Sequence, residues 1–508
     1  MSVKLLSGTC ASMESSIIEV EVNITKGLPS FCIVGLADVA VKESRQRVRS
    51  AIINSGYKFP LGRITVNLAP ANIRKVGSML DLPIALAILM ESGQINEVNY
   101  DKFVIFGERS LEGKIRGVVG ALPIILEGRE NNINSFIMPY ENVNECIYNK
   151  EADYFPFSKL EEVTSFINNN DELPYEIKNI SLSDEEFECD FSDIIGQQQA
   201  KRALTISVAG GHNIMLFGST GVGKSLLAKS VRSIMPDLSL DEEIKVAKTY
   251  SVMNILKKDK KVSRPFRMPH HSITKTALLG GGKRVSLGEV SLANKGVLYF
   301  DELLEFKREV LESLREPLEE KSITISRLDK VRNIESDFLF IASTNLCPCG
   351  KSDLAYNSDN KCKCSYVEKK RYLNKMSNAL KDRIDLFVYV PKIPYEEIKY
   401  NNSENESKKV RKAIILAQDI QKERYKKINK KLNSSLRGKE ILKYININKN
   451  AKKIMEEYLL KSKASLRAYG KILKISRTIA DLENSDKVLE EHIIESLSYR
   501  KNFDGEII

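Results

Sequence analysis

The chain of 508 residues holds only eight cysteines, too few for the disulfide framework of a secreted scaffold. It has no run of eighteen apolar residues that could span a bilayer. Its start, MSVKLLSGTCASMESSIIEVEV, lacks the basic patch and apolar stretch of a secretory signal. These absences lead to the expectation of a cytoplasmic protein with no membrane partner. No internal repeat is found, and the nearest approach to low complexity is Lys/Asn-rich sequence toward the C-terminus. Cys10, Cys32, Cys146 and Cys189 are scattered among apolar neighbours and are expected as reduced core residues.

Apolar residues make up 42% and charged residues 29%, an ordinary balance for a chain that buries a core and stays wetted outside. The length suggests about three domains. A formal charge of +11 favours a polyanionic partner such as nucleic acid.

Residues 1–168 alternate β-like runs (SIIEVEV, SFCIVGL, RITVNL, KFVIFGE, SFIMP) with helical ones, which predicts one α/β domain. Residues 169–189 are acidic and aperiodic and are expected as a linker. Residues 190–395 alternate strand and helix again, and each apolar strand ends where a polar motif starts. Parallel strands delivering loops to one sheet edge give that pattern. Over residues 396–508 the strands stop and the pattern is helical.

The segment GSTGVGKS, residues Gly218, Ser219, Thr220, Gly221, Val222, Gly223, Lys224 and Ser225, matches a phosphate-binding loop and lies between a predicted strand and helix. Glycines let backbone amides turn to phosphates, Lys224 offers a charge to the β and γ groups, and Ser225 can ligate Mg2+. ATP with Mg2+ is the expected ligand. Hydrolysis also needs a metal-holding carboxylate and a group that orients water. In GVLYFDEL, Asp301 ends an apolar strand and is the candidate for the metal, with Glu302 for the water; the bland alternative is a helix cap. Asn345, at the end of the next β-like run, is a candidate contact for the γ-phosphate or the water. Arg383 in LKDRIDLF and Arg467 in ASLRAY are candidates to reach phosphate, Arg383 from a neighbouring subunit; for Arg383 the alternative is a surface pair with Asp382 or Asp385.

Two further groups stand out. Cys347, Cys349, Cys362 and Cys364 bring half of all the cysteines into one polar loop, either a Zn2+ site or free thiols. Arg327, Lys330 and Arg332 lie between and within two β-like runs, either meeting DNA or decorating a solvated hairpin tip. His270 and His271 could join a metal site, but the glycines Gly280 to Gly282 beside them favour a helical insertion with a hinge.

The segments VKESRQRVRSAI, RITVNLAPANIRKVGS, FSDIIGQQQAKRAL, RPFRMPHHSIT, GGGKRVSLGEVSLANKGVLYFDEL, NLCPCG, DRIDL and SRTIADL together resemble the ComM/YifB family, the magnesium-chelatase-like branch of AAA+ proteins, over nearly the full chain. The resemblance implies a Lon-protease-like α/β domain of the ribosomal S5 domain 2-like type, a P-loop AAA+ α/β module, an all-helical lid and a homo-hexamer. It also implies an ATP-dependent motor that promotes branch migration of DNA in recombination or natural transformation. By the same resemblance Lys224 and Ser225 belong to the P-loop, Asp301 and Glu302 to Walker B, Asn345 is sensor 1, Arg383 the arginine finger and Arg467 sensor 2. It places the hairpin carrying Arg327, Lys330 and Arg332 at a central pore. The sequence departs from the family in NLCPCG for NPCPCG and in Asn294 where a histidine is usual.

A Ser/Lys peptidase is disfavoured, because Met79 and Leu122 occupy the positions where Lon-type motifs carry serine and lysine, and Ser78 is offset by one. The alternative function is a chelatase-like ATPase that remodels a protein partner.

Overall fold

The computed structural model describes residues 2–11, 13–99, 101–169, 173–177, 189–257, 260–282, 286–327, 330–352, 362–393, 405–462 and 465–500, with backbone alone at 326–327, 330–332 and 461–462. The protein is mixed α/β and divides into two compact units. The first comprises residues 1–185 and 239–262, the second residues 186–238 and 263–508.

The first unit is built on a seven-stranded sheet in the order Ser30–Val34, Arg63–Ala69, Glu14–Thr25, Val3–Ala11, Phe103–Ile105, Ser135–Pro139, Asp153–Phe157. Val3–Ala11, Glu14–Thr25 and Arg63–Ala69 pair antiparallel, and the remaining pairs are parallel. RITVNLA alternates buried and half-exposed positions because one face of that strand packs on the core. Helix Asp81–Glu91 is buried along ten of its eleven residues. Its first residue, Asp81, is fully enclosed by Arg47, the Ser44 hydroxyl and the Arg109 amide.

Met79 and Leu122 are buried apolar side chains in this unit, and the Ser78 hydroxyl donates to the Glu108 carboxylate rather than to an amine. The Ser78 partner is thus a carboxylate and not the lysine amine of a Ser/Lys dyad. Cys146 and Cys189 are buried, Cys189 in the second unit, as core residues should be. Cys32 corrects the expectation for the scattered cysteines: it is exposed, because Ser30–Val34 is an edge strand whose Ser30, Cys32 and Val34 share the solvent face.

Residues 239–262, which lie within the 190–395 segment in sequence, pack in the first unit. The Ser251 hydroxyl of helix Leu240–Val252 donates to Glu145 at 2.6 Å, and the Gly120 amide donates to the Ser251 carbonyl. Helix Leu240–Val252 packs against helix Ala121–Glu130 of that unit.

The second unit has a five-stranded, fully parallel sheet in the order Phe266–Arg267, Val297–Phe300, Leu339–Thr344, Ile214–Phe217, Leu386–Tyr389. IMLF, VLYF and LFIAST are buried at every position, as strands covered on both faces must be. The helical C-terminal part contains helices Glu406–Tyr425, Lys449–Ser462, Leu466–Leu482 and Glu490–Ser498. Among the described residues, no helix is long and apolar enough to cross a membrane.

Candidate nucleotide site

Strand Ile214–Phe217 ends at Gly218, and the loop runs through Gly221 and Gly223 before helix Lys224–Ile234 begins. Gly221 and Gly223 have φ of 83° and 91°, where only glycine is unstrained, and a Cβ on either would meet nothing within 4 Å. The loop therefore faces open space. Gly218 is glycine for the opposite reason, since a Cβ there would lie 2.4 Å from the Val390 carbonyl oxygen.

The Lys224 ammonium donates to the carbonyls of Gly218 at 2.9 Å and Ser219 at 2.8 Å, and to Asn345 Oδ1 at 3.0 Å. Burial lowers its pKa to about 8 against the opposing pull of Asp301 and Glu302. The Ser225 hydroxyl donates to Asp301 Oδ2 at 2.8 Å. Asp301 Oδ1 accepts from the Tyr299 hydroxyl at 2.8 Å, the Glu302 amide at 3.1 Å and the Ser343 hydroxyl. Burial alone would raise the Asp301 carboxyl, but the hydroxyls of Ser343, Tyr299 and Ser225 outweigh it and its pKa falls below the ordinary value. Glu302 is exposed, has a left-handed backbone at φ 51°, and its amide also donates to Ser343 Oγ. A left-handed residue two positions past the end of strand Val297–Phe300 turns the chain sharply at the sheet edge.

These residues fit a magnesium nucleotide. A buried ammonium beside an open, glycine-rich helix N-terminus suits phosphates. A hydroxyl in contact with a carboxylate supplies the hard oxygen donors that Mg2+ takes. Lys224 and the loop amides would hold the phosphates, and Ser225 with Asp301 the cation.

The structure thus brings together Lys224, Ser225, Asp301, Glu302 and Asn345. Arg383 and Arg467 are engaged elsewhere. The Arg383 guanidinium binds Glu319 and the Ala379 carbonyl, and Arg467 is 67% exposed with Asp382 at 3.9 Å. Arg383 thus pairs with neither of the two aspartates considered for it. Arg327 and Lys330 face each other across the antiparallel hairpin Ser322–Arg327/Lys330–Glu335. The side chains of Arg327, Lys330 and Arg332 lie outside the described residues. In the expected glycine hinge, Gly280–Gly281 pairs with Ser286–Leu287 as a short ribbon after helix Lys275–Leu279.

Sequence reasoning missed several partners. Tyr299 was legible as a residue two positions before Asp301, hence on the same strand face. Ser343 comes from the adjacent strand and depends on register. The Thr220 amide donates to the Gly350 carbonyl at 2.8 Å, so the cysteine loop braces the phosphate loop. An open groove of about 750 Å³ is lined by Lys307, Arg308, Lys370, Arg371 and Lys375, with Tyr366 beside them.

Three sequence profiles match in succession. One described as subunit ChlI of Mg-chelatase matches residues 20–142, one described as magnesium chelatase, subunit ChlI, residues 190–398, and one described as its C-terminal part residues 404–500. The chain is 39% identical to competence protein ComM of Haemophilus influenzae, over 96% of this chain and 95% of that protein. It is also 39% identical to YifB of Salmonella typhimurium, over 95% and 94%. The chain belongs to the ComM/YifB family. Membership makes it a magnesium-chelatase-like AAA+ ATPase, a class that fits the phosphate loop and carboxylates described above. An uncharacterised Mycobacterium tuberculosis protein is 32% identical over 96% of each chain, so the similarity to ComM/YifB proteins extends through both units.

Proposed function

We propose that this ComM/YifB protein is a homo-hexameric ATP-hydrolysing motor that acts on DNA, moving branch points during recombination or uptake of DNA. The carrying observation is the convergence of Lys224, Asn345, Ser225 and Asp301 on one open loop, with Glu302 next in the chain. Lys224 would hold the phosphates, and Ser225 with Asp301 would hold Mg2+, which would supply neutralisation of their charge. A Glu302 carboxylate oxygen takes the proton of the attacking water, and Asn345 orients that water or the γ-phosphate. Arg383 and Arg467 complete the site, Arg383 on the nucleotide of the next subunit. Arg383 is 13% exposed beside Glu319, in a groove whose lining includes Glu312 and Glu316 and no residue of its own phosphate loop.

Three features support DNA as the polyanion. They are the +11 charge, the relative named as a competence protein, and the groove where five cations accompany an exposed tyrosine. The hairpin residues Arg327, Lys330 and Arg332 would meet DNA at the pore of the ring. Phosphate contacts release counterions, so stimulation of hydrolysis by DNA should fall steeply with salt. The test measures ATP hydrolysis and dissociation of a synthetic four-way junction at two salt concentrations, for wild type and the Arg327→Ala/Lys330→Ala variant. The expected result is a salt-sensitive stimulation that the double variant lowers several-fold. Junctions that neither bind, stimulate nor come apart while basal hydrolysis is healthy would overturn the DNA reading in favour of chelatase-like remodelling of a protein partner.

A further inference from the structure

The loop after Asn345 carries a second site with chemistry of its own. The Sγ atoms of Cys347, Cys349, Cys362 and Cys364 all lie within 4.8 Å of one another. Cys347 to Cys349 is 3.3 Å, Cys349 to Cys362 is 3.6 Å, and Cys362 to Cys347 is 3.7 Å. A tetrahedral zinc with bonds of about 2.3 Å separates its sulfurs by about 3.8 Å, so the thiols already stand close to the edges of that tetrahedron. Cys347 is buried while the other three reach the surface to differing degrees, which leaves an entry path for an ion. Lys363 lies between Cys362 and Cys364 and Lys351 two residues after Cys349, where their charges would offset that of a tetrathiolate.

We propose that these four cysteines hold a structural zinc ion that pins the loop bracing the phosphate loop. The coupling is covalent and short. One residue, Leu346, separates Asn345, a partner of Lys224, from the Cys347 ligand, and the Gly350 carbonyl that accepts from Thr220 directly follows Cys349. Gly350 has φ 71°, and a Cβ there would lie 2.1 Å from Thr220 Oγ1, so the two loops touch. On the far side, Ser365 follows the Cys364 ligand and caps helix Tyr366–Leu373, accepting from the Glu368 amide. An ion fixing four sulfurs thereby fixes both a wall of the nucleotide site and the start of a helix that lines the basic groove. On binding, the four thiols release their protons to solvent and coordinate as thiolates, with no change in oxidation state.

The second half of the proposal rests on the nucleotide reading, and the two halves are measured separately. Full-length protein purified under reducing conditions is expected to carry about one zinc per chain by elemental analysis. Cobalt(II) exchanged into it should give tetrahedral thiolate absorption. Cys347→Ser/Cys362→Ser should lose the metal, whereas Cys32→Ser, an exposed thiol outside the cluster, should keep it. Should the double variant not fold, zinc withdrawn from the native protein by a chelator and restored by titration gives the same readout. Reduced protein that holds well under one zinc and takes none up on titration overturns the site. Zinc that can be removed and restored while ATP affinity stays constant overturns the brace; the expected change is a reversible loss of affinity of several-fold or more.

Discussion

Lys224 combines two demands that pull against each other, since a cation held ready for phosphate is also a cation removed from water. Its ammonium is satisfied by two loop carbonyls and Asn345, and burial still lowers its pKa to about 8. Phosphate binding favours the charged form, so above that value the protein must take up a proton to bind nucleotide. The affinity for ATP should therefore be flat below the lowered pKa and fall as pH rises through it, by up to about tenfold per unit. Titration calorimetry at about pH 7 and about pH 9.5, in buffers of different ionisation enthalpy, reads both the affinity and the proton uptake. An affinity unchanged across that range, with no proton taken up, contradicts this account of Lys224.

At the level of elements, strand Leu386–Tyr389 is tied to helix Leu466–Leu482 by a buried ionic cluster at its start. Asp385 lies 3.5 Å from the Lys471 ammonium and 3.8 Å from His212 Nδ1, while Lys471 and Arg500 also donate to the Ile384 carbonyl. Burial would raise the Asp385 carboxyl, but Lys471, His212 and Lys474 outweigh it, and its pKa lies far below the ordinary range. Its contribution to stability is thus complete above the unfolded carboxylate value, and it is lost only as pH falls through the lowered native value. Asp385→Asn leaves Lys471 buried without its counter-charge and should cost roughly 3–5 kcal/mol. Urea unfolding of the full chain measures the loss, and adding Lys471→Met should recover part of it. Equal stability of the single variant and wild type would show that the cluster does not join strand to helix energetically.

For the whole molecule, the proposed motor is a composite, in which a site needs Lys224 from one chain and Arg383 from its neighbour. Arg383→Ala and Lys224→Ala should each lose hydrolysis by roughly 100-fold or more. Mixing the two variants should restore some activity, because a mixed interface can take Lys224 from one chain and Arg383 from the other. ATPase assays of the mixtures at several ratios check this, and wild-type hydrolysis by Arg383→Ala alone removes the residue from the site. The sequence by itself determined the phosphate loop, the Asp301–Glu302 pair, the α/β character and the family, because these depend on local spacing and on period. GSTGVGKS between a strand and a helix can be read without knowing any neighbour. Tertiary structure alone decided which hydroxyls hold Asp301, which acid binds Arg383 and that Cys32 lies on an edge strand. It also placed residues 239–262 in the first unit and Gly350 against Thr220. Each of these depends on the register between strands or on chain segments far apart in sequence, which no local pattern encodes.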